Sequence, residues 1–257
     1  MAKRIGKAFL VGCLVGLIGQ ILILFLTAVG VGSDMVVMAA MLIFGVIAMV
    51  MIISGLYFKI SAFGGSGAAI PVCGLMFGAA MGTAAAVKSG KSSAKAFLTG
   101  FWGVFKVLGS GFALAAILGL ILGGYTGTPA VSAPPAVMQL VWAAVIGGAI
   151  CALTQFMTEL KINFALIAIL LMTVGGGIFT KLGIIDFLNT LGAGGASVTA
   201  LGCGNGAYSA GTVIAAGGGV KIFILVLLLN VILVAMGALC GGAVCKKFPD
   251  LVQDGKE

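Results

Sequence analysis

From residue 8 onward the chain is a succession of apolar runs separated by short stretches holding glycine, lysine or proline. Runs at 8–31, 35–58, 97–124, 138–158, 162–182 and 219–245 each approach the ~20 residues an α-helix needs to cross a bilayer. They are apolar all round and do not alternate with period two, so they predict helices and exclude a transmembrane barrel. Two further segments, 63–87 and 190–216, are equally uncharged but glycine-rich. "FGGSGAAIPVCG" (63–74) and "LGAGGASVTALG" (191–202) are too broken for a continuous helix and too apolar for a water-facing loop.

The same order of elements occurs twice. "VGCLVGLIGQ" (11–20) aligns with "IGGAICALTQ" (146–155), bringing Gln20 onto Gln155. "GLYFKI" (55–60) aligns with "GIFTKL" (177–182), the two glycine segments align with each other, and "GVFKVLGSG" and "GGVKIFILV" open third spans that carry Lys106 and Lys221. The division is a first repeat (1–124), a proline-containing connector (125–137), a second repeat (138–245) and a polar tail (246–257).

Lysine placement sets the expected topology. With re-entrant glycine segments and an inner N-terminus, Lys3, Arg4, Lys7, Lys59, Lys88, Lys91, Lys95, Lys161, Lys246, Lys247 and Lys256 fall on one side. Lys181 falls opposite, and Lys106 and Lys221 lie within spans. Full crossings would move Lys88, Lys91, Lys95 and Lys161 outside, so the positive-inside rule favours re-entrance and cytoplasmic termini. Each half then crosses three times, which predicts an all-α polytopic membrane protein of two inverted-topology repeats, each with three spans and a glycine-rich re-entrant or broken segment.

Composition agrees. Of 257 residues, 61% are hydrophobic and 8% charged, too few charges to cover a soluble surface. The net charge of +8 is scattered at span ends and not interleaved with aromatics, so it reads as orientation charge and not as a nucleic-acid surface. The six cysteines form no CxxC pair and there is no histidine, which argues against a metal site or disulfide framework and leaves the cysteines as small buried apolar residues. The N-terminus "MAKRIGKAFLVGC" imitates a signal peptide, but its apolar run continues to about Val31, as in an uncleaved first span.

"AFLVGCLVGLIGQILI" followed by "GLYFKISAFGGSGAAIPVCG" resembles the stage V sporulation protein A family of the SpoVAC/SpoVAEb type. The second half carries the features more loosely, in Gly147, Gln155, "GAGG" (192–195) and "GCGN" (202–205). It departs from the first at Thr199, which stands where the first half has Pro71, and at the inserted "IIDFLN" (184–189). Family members are usually single-repeat proteins, so the resemblance implies two copies fused in tandem. It also implies a channel or transporter subunit that moves dipicolinic acid, as calcium dipicolinate, across the spore inner membrane in sporulation and germination. The implied partners are other SpoVA-type membrane proteins, a soluble SpoVAD-like subunit and the lipid bilayer, with homo-oligomerisation left open. A structural scaffold of such a complex, and a small-solute or mechanosensitive channel not specific for dipicolinate, are the alternatives.

Candidate residues follow from chemistry that is costly in a membrane. Gly64, Gly65, Gly67 and Pro71, with Gly192, Gly194 and Gly195, form the matched broken segments and are candidates to line a path for a small dicarboxylate; the alternative is that these glycines only permit close helix approach. Gly12/Gly16, Gly119/Gly123 and Gly237/Gly241 have small-xxx-small spacing and read as packing pairs. Lys106 and Lys221 are candidate cations for a dianion, with snorkelling as the alternative. Gln20 and Gln155 read as a helix-packing polar pair. Asn205, Thr199 and Asn230 could donate along the path, though satisfied packing contacts are the favoured reading for each. Asp34, Glu159 and Asp186 read as solvated charges at span ends, without calcium-loop spacing. No cofactor is implied, and neither a nucleophile elbow nor a dinucleotide fingerprint in its proper context is present, so no enzyme activity is expected.

Overall fold

A computed structural model describes residues 1–124, 132–197 and 201–252. The connector positions 125–131, the tail 253–257 and Thr199 lie outside the described residues, as does the side chain of Asp34. The chain is helical throughout: α1 (Ala2–Ala28), α2 (Ser33–Ile53), α3 (Leu56–Gly64), α4 (Val72–Lys88), α5 (Ser93–Leu122), α6 (Ala136–Glu159), α7 (Phe164–Leu170), α8 (Phe179–Lys181), α9 (Ile184–Ser197), α10 (Leu201–Ala215) and α11 (Lys221–Lys247). Among the described residues six helical stretches are long and apolar enough to cross a membrane, or seven if the bent pair Leu56–Ala68 and Val72–Lys88 is one span. This is an all-α polytopic membrane protein, and each candidate span overlaps one of the apolar runs.

Two spans differ from expectation. The helix α1 starts six residues before the predicted 8, because Arg4 pairs with Glu159 at the end of α6 (3.2 Å) and draws the basic N-terminus into the helix. The fifth span is interrupted: between α7 and α8 the chain makes a π-helical turn, Leu171–Ile178, which contains Gly175, Gly176 and Gly177. Such wide turns are rare and need close backbone packing. Here Gly176 supplies it by abutting Gly204 of α10, where any side chain would overlap backbone.

Both glycine segments bend. The helices flanking the first turn through 114° around a 3₁₀ turn, Gly65–Ala68, and Pro71, whose fixed ring precedes α4. In the second, Gly192 breaks α9 with φ −177° and ψ 77°. The first segment enters and leaves at one end of the bundle. Gly55 lies under the Phe248 ring just past α11, and Lys88 donates to the carbonyls of Pro249 (3.2 Å) and Val252 (2.7 Å) in the same place. At the opposite end, Lys181 donates to the carbonyls of Leu122 and Gly124 (2.8 and 2.6 Å), and Tyr208 of α10 donates to that of Gly123 (2.9 Å).

Glycine sets the helix separations. Gly237 and Gly241 of α11 press on the backbone of α4 at Met76 and Ala80, running in the same direction. Gly119 of α5 and Gly211 of α10 press on each other's helix at one crossing. Gly123 is not a packing residue: it ends α5 with φ +65° and has open space around it. Close backbone approach substitutes for the hydrophobic force that lipid removes. Gly237→Val is therefore expected to destabilise the protein by roughly 1–3 kcal/mol through overpacking. Gly242→Val, which meets nothing within 4 Å, should be neutral when the two are compared by thermal unfolding in detergent.

Candidate functional site

The seam between α1 and α6 organises the centre. The two helices cross antiparallel with Gly12 against Gly147, each lying where a methyl group would overlap the other's carbonyl. One turn further along, Gly16 meets Ala143 and Gly12 meets Cys151. Gly12 and Gly147 are equivalent positions in the alignment of "VGCLVGLIGQ" with "IGGAICALTQ", and the Gly12–Cys151 contact has its counterpart in Gly147–Gly16.

Both elbows seat in this seam, on opposite sides of the Gly12–Gly147 contact. In the first, Gly67 is buried against Ala8 and the Cys151 carbonyl, and Gly64 against Val11. In the second, Gly195 is buried against the Ala143 carbonyl and faces Gly16, while Gly192 packs on Gln139 and Ala143. Gly67 aligns with Gly195, Ala8 with Ala143 and Cys151 with Gly16, so the second set of contacts repeats the first with the helices exchanged. Ala8 and Gly16 are eight residues apart on α1, which separates the elbows by about 12 Å along the seam.

The two glutamines do not bond to each other. Gln155 Oε1 accepts from the backbone N–H (3.0 Å) and the hydroxyl (2.8 Å) of Ser66, at the first elbow. Gln20 Oε1 accepts from the backbone N–H of Gly194 (2.6 Å), at the second. Ser66 aligns with Gly194, so each glutamine holds the equivalent amide in the other half of the chain. Each is itself oriented: Gln155 Nε2 donates to Glu159 (2.9 Å), which pairs with Arg4, and Gln20 Nε2 donates to Gln139 (2.9 Å), which donates to the Pro134 carbonyl (2.9 Å). Glu159 is thus a structured carboxylate with 13% side-chain exposure and not a solvated end charge, because two donors converge on it.

The remaining candidates fall elsewhere. Pro71 is buried as the residue that starts α4. Gly65 is the exposed glycine of the first elbow, with φ +59°, and a methyl there would lie 2.6 Å from Gln155 Oε1. Asn205 binds the Thr180 hydroxyl (3.0 Å) next to the π turn, and Asn230 donates back along its own helix to Val226 (2.7 Å). Lys106 is exposed on the outer face of α5, and Lys221 is the first residue of α11 and not an interior one. Neither lysine reaches the elbows. Ser66 and Glu159 are bonding partners of Gln155 that spacing alone did not assign; Glu159 four residues after Gln155 was the available signal.

Removing either clamp takes the side-chain acceptor from an elbow N–H, part-buried at Ser66 and buried at Gly194. Gln20→Leu and Gln155→Leu are each expected to cost about 1–3 kcal/mol, whereas Ser66→Ala, which keeps the amide bond, should cost less. Melting of the purified variants checks this ordering. No curated protein and no solved structure matches the chain. Residues 4–124 match the SpoVAC/SpoVAEB sporulation membrane protein family, so the first half of the chain is similar to that family.

Proposed function

We propose that this protein is a membrane channel or transporter subunit that moves dipicolinate, as its calcium chelate, across the spore inner membrane, with both termini on the cytoplasmic side. The observation that carries the reading is the reciprocal clamp, in which Gln155 holds the Ser66 amide and Gln20 holds the Gly194 amide. In this reading residues 138–245 are a diverged second copy of residues 1–124, inverted with respect to it, and the Gly12–Gly147 contact marks the pseudo-two-fold axis. Paired broken segments near such an axis are where transporters of inverted-repeat design bind their solutes.

The clamps suit a dicarboxylate chemically. A neutral amide oxygen now occupies each elbow N–H, and a carboxylate oxygen is a stronger acceptor for the same donor. An arriving dianion can displace Gln20 or Gln155, free an elbow from the seam and open a path between α1 and α6. The clustering of Arg4, Lys88, Lys246 and Lys247 at one end supports assigning that end to the cytoplasm.

A scaffold role is the second reading, favoured by the tight packing of Gly64, Gly67, Gly192, Gly194 and Gly195 against neighbouring atoms. Flux through the purified chain separates the two. A methyl group built at Gly64 lies 3.2 Å from Val11 Cβ, slightly inside the separation of a disulfide, so a small outward shift admits the bond. In vesicles loaded with dipicolinate, the Val11→Cys/Gly64→Cys protein should leak at least tenfold less when oxidised and recover on reduction. Equal flux in both states, with the cross-link verified, would contradict a moving elbow, and no flux from the wild-type chain would favour the scaffold.

A further inference from the structure

The outer face of α5 carries chemistry that lipid does not tolerate. Thr99, Gly103, Lys106 and Ser110 recur at the three- and four-residue spacing of one helical face, and all four are exposed. No hydrogen bond or ion pair reaches Lys106 from any described residue.

Depth excludes an escape to water. Gly78 and Gly82 of α4 meet Val104 and Gly100 of α5 in antiparallel register, which sets Lys106 level with Met76. Met76 is fully buried and touches Gly45 of α2 and Gly237 of α11. Gly45 lies eight residues before the end of α2 at Ile53, about 12 Å in from the nearer end of a helix only just long enough to span. A lysine stem covers about half that distance. Snorkelling therefore fails, and a charge at this depth requires a countercharge or water.

We infer that this face of α5 docks a transmembrane helix of another protein that carries one Asp or Glu near mid-membrane, paired with Lys106. A second copy of this chain does not fit the role. Among the described residues the acidic ones, Asp34, Glu159, Asp186 and Asp250, stand at or near helix ends, and a symmetric contact would bring two lysines together. Gly103 meets nothing within 4 Å, so a partner backbone can approach closely one turn from the charge. Ser110 turns its hydroxyl proton to the Val107 carbonyl (2.8 Å) and keeps its oxygen as an acceptor for the partner. The interface does not depend on which solute the protein moves.

The test uses the full-length protein, dye-labelled, in phosphatidylcholine vesicles with acceptor-labelled single-span leucine–alanine peptides bearing Glu, Gln or Leu at the centre. Energy transfer should show the Glu peptide associating at least tenfold more tightly than the other two. Lys106→Met should abolish that preference without changing the melting temperature, and Lys106→Arg should retain it. Equal association of all three peptides with the wild-type protein overturns the inference, whatever the variants do. So does rapid reaction of Lys106→Cys, above the wild-type background, with a membrane-impermeant thiol reagent in peptide-free vesicles, because that places the face in an aqueous lumen.

Discussion

Two backbone amides at bends of the chain, those of Ser66 and Gly194, take side-chain acceptors from the other half of the sequence. Bilayer hydrocarbon offers none, and an unsatisfied N–H there costs several kcal/mol. Gln155 and Gln20 are the acceptors. For their side chains to reach, α1 and α6 must approach with backbone against backbone, which is what glycine at positions 12 and 147 allows. The seam, the elbows and the glutamines are therefore one construction, and a bulky residue at the crossing would cost both clamps together.

The crosswise wiring has a mechanical consequence. Each elbow is held by a helix from the other half, so neither half can shift its broken segment without disturbing the other's first span. The first clamp also continues outward through Glu159 to Arg4 at the end of the bundle, whereas the second continues through Gln139 to the Pro134 carbonyl beside the connector. The two sets of contacts are thus alike beside the Gly12–Gly147 crossing and different at their outer ends. The π turn in the fifth span, with Asn205 and Thr180 beside it, extends that difference.

Much of the architecture was legible in the residues. The six spans, the bend within 63–74, the break at Gly192 and the matched glutamines all follow from apolar run length, glycine content and alignment. The partners of the glutamines were not legible, because Gln20 and Gly194 are 174 residues apart and nothing local marks the contact. The π turn escaped notice because a glycine run suits several backbones equally, and only Gly204 against Gly176 selects the wide one. Lys221 looked interior because apolar residues flank it on both sides; the start of α11 at that residue places it at an end. Lys106 was legible as buried charge but not as outward-facing, since helix rotation depends on which neighbours α4 and α10 occupy.

The crosswise clamp is tested most directly by hydrogen exchange at the two elbow amides. With Gln20→Leu, peptides covering Gly194 should lose protection while those covering Ser66 keep it, and Gln155→Leu should give the reverse. Loss of protection in the elbow of the same half as the substitution, or no change in either, would contradict the account.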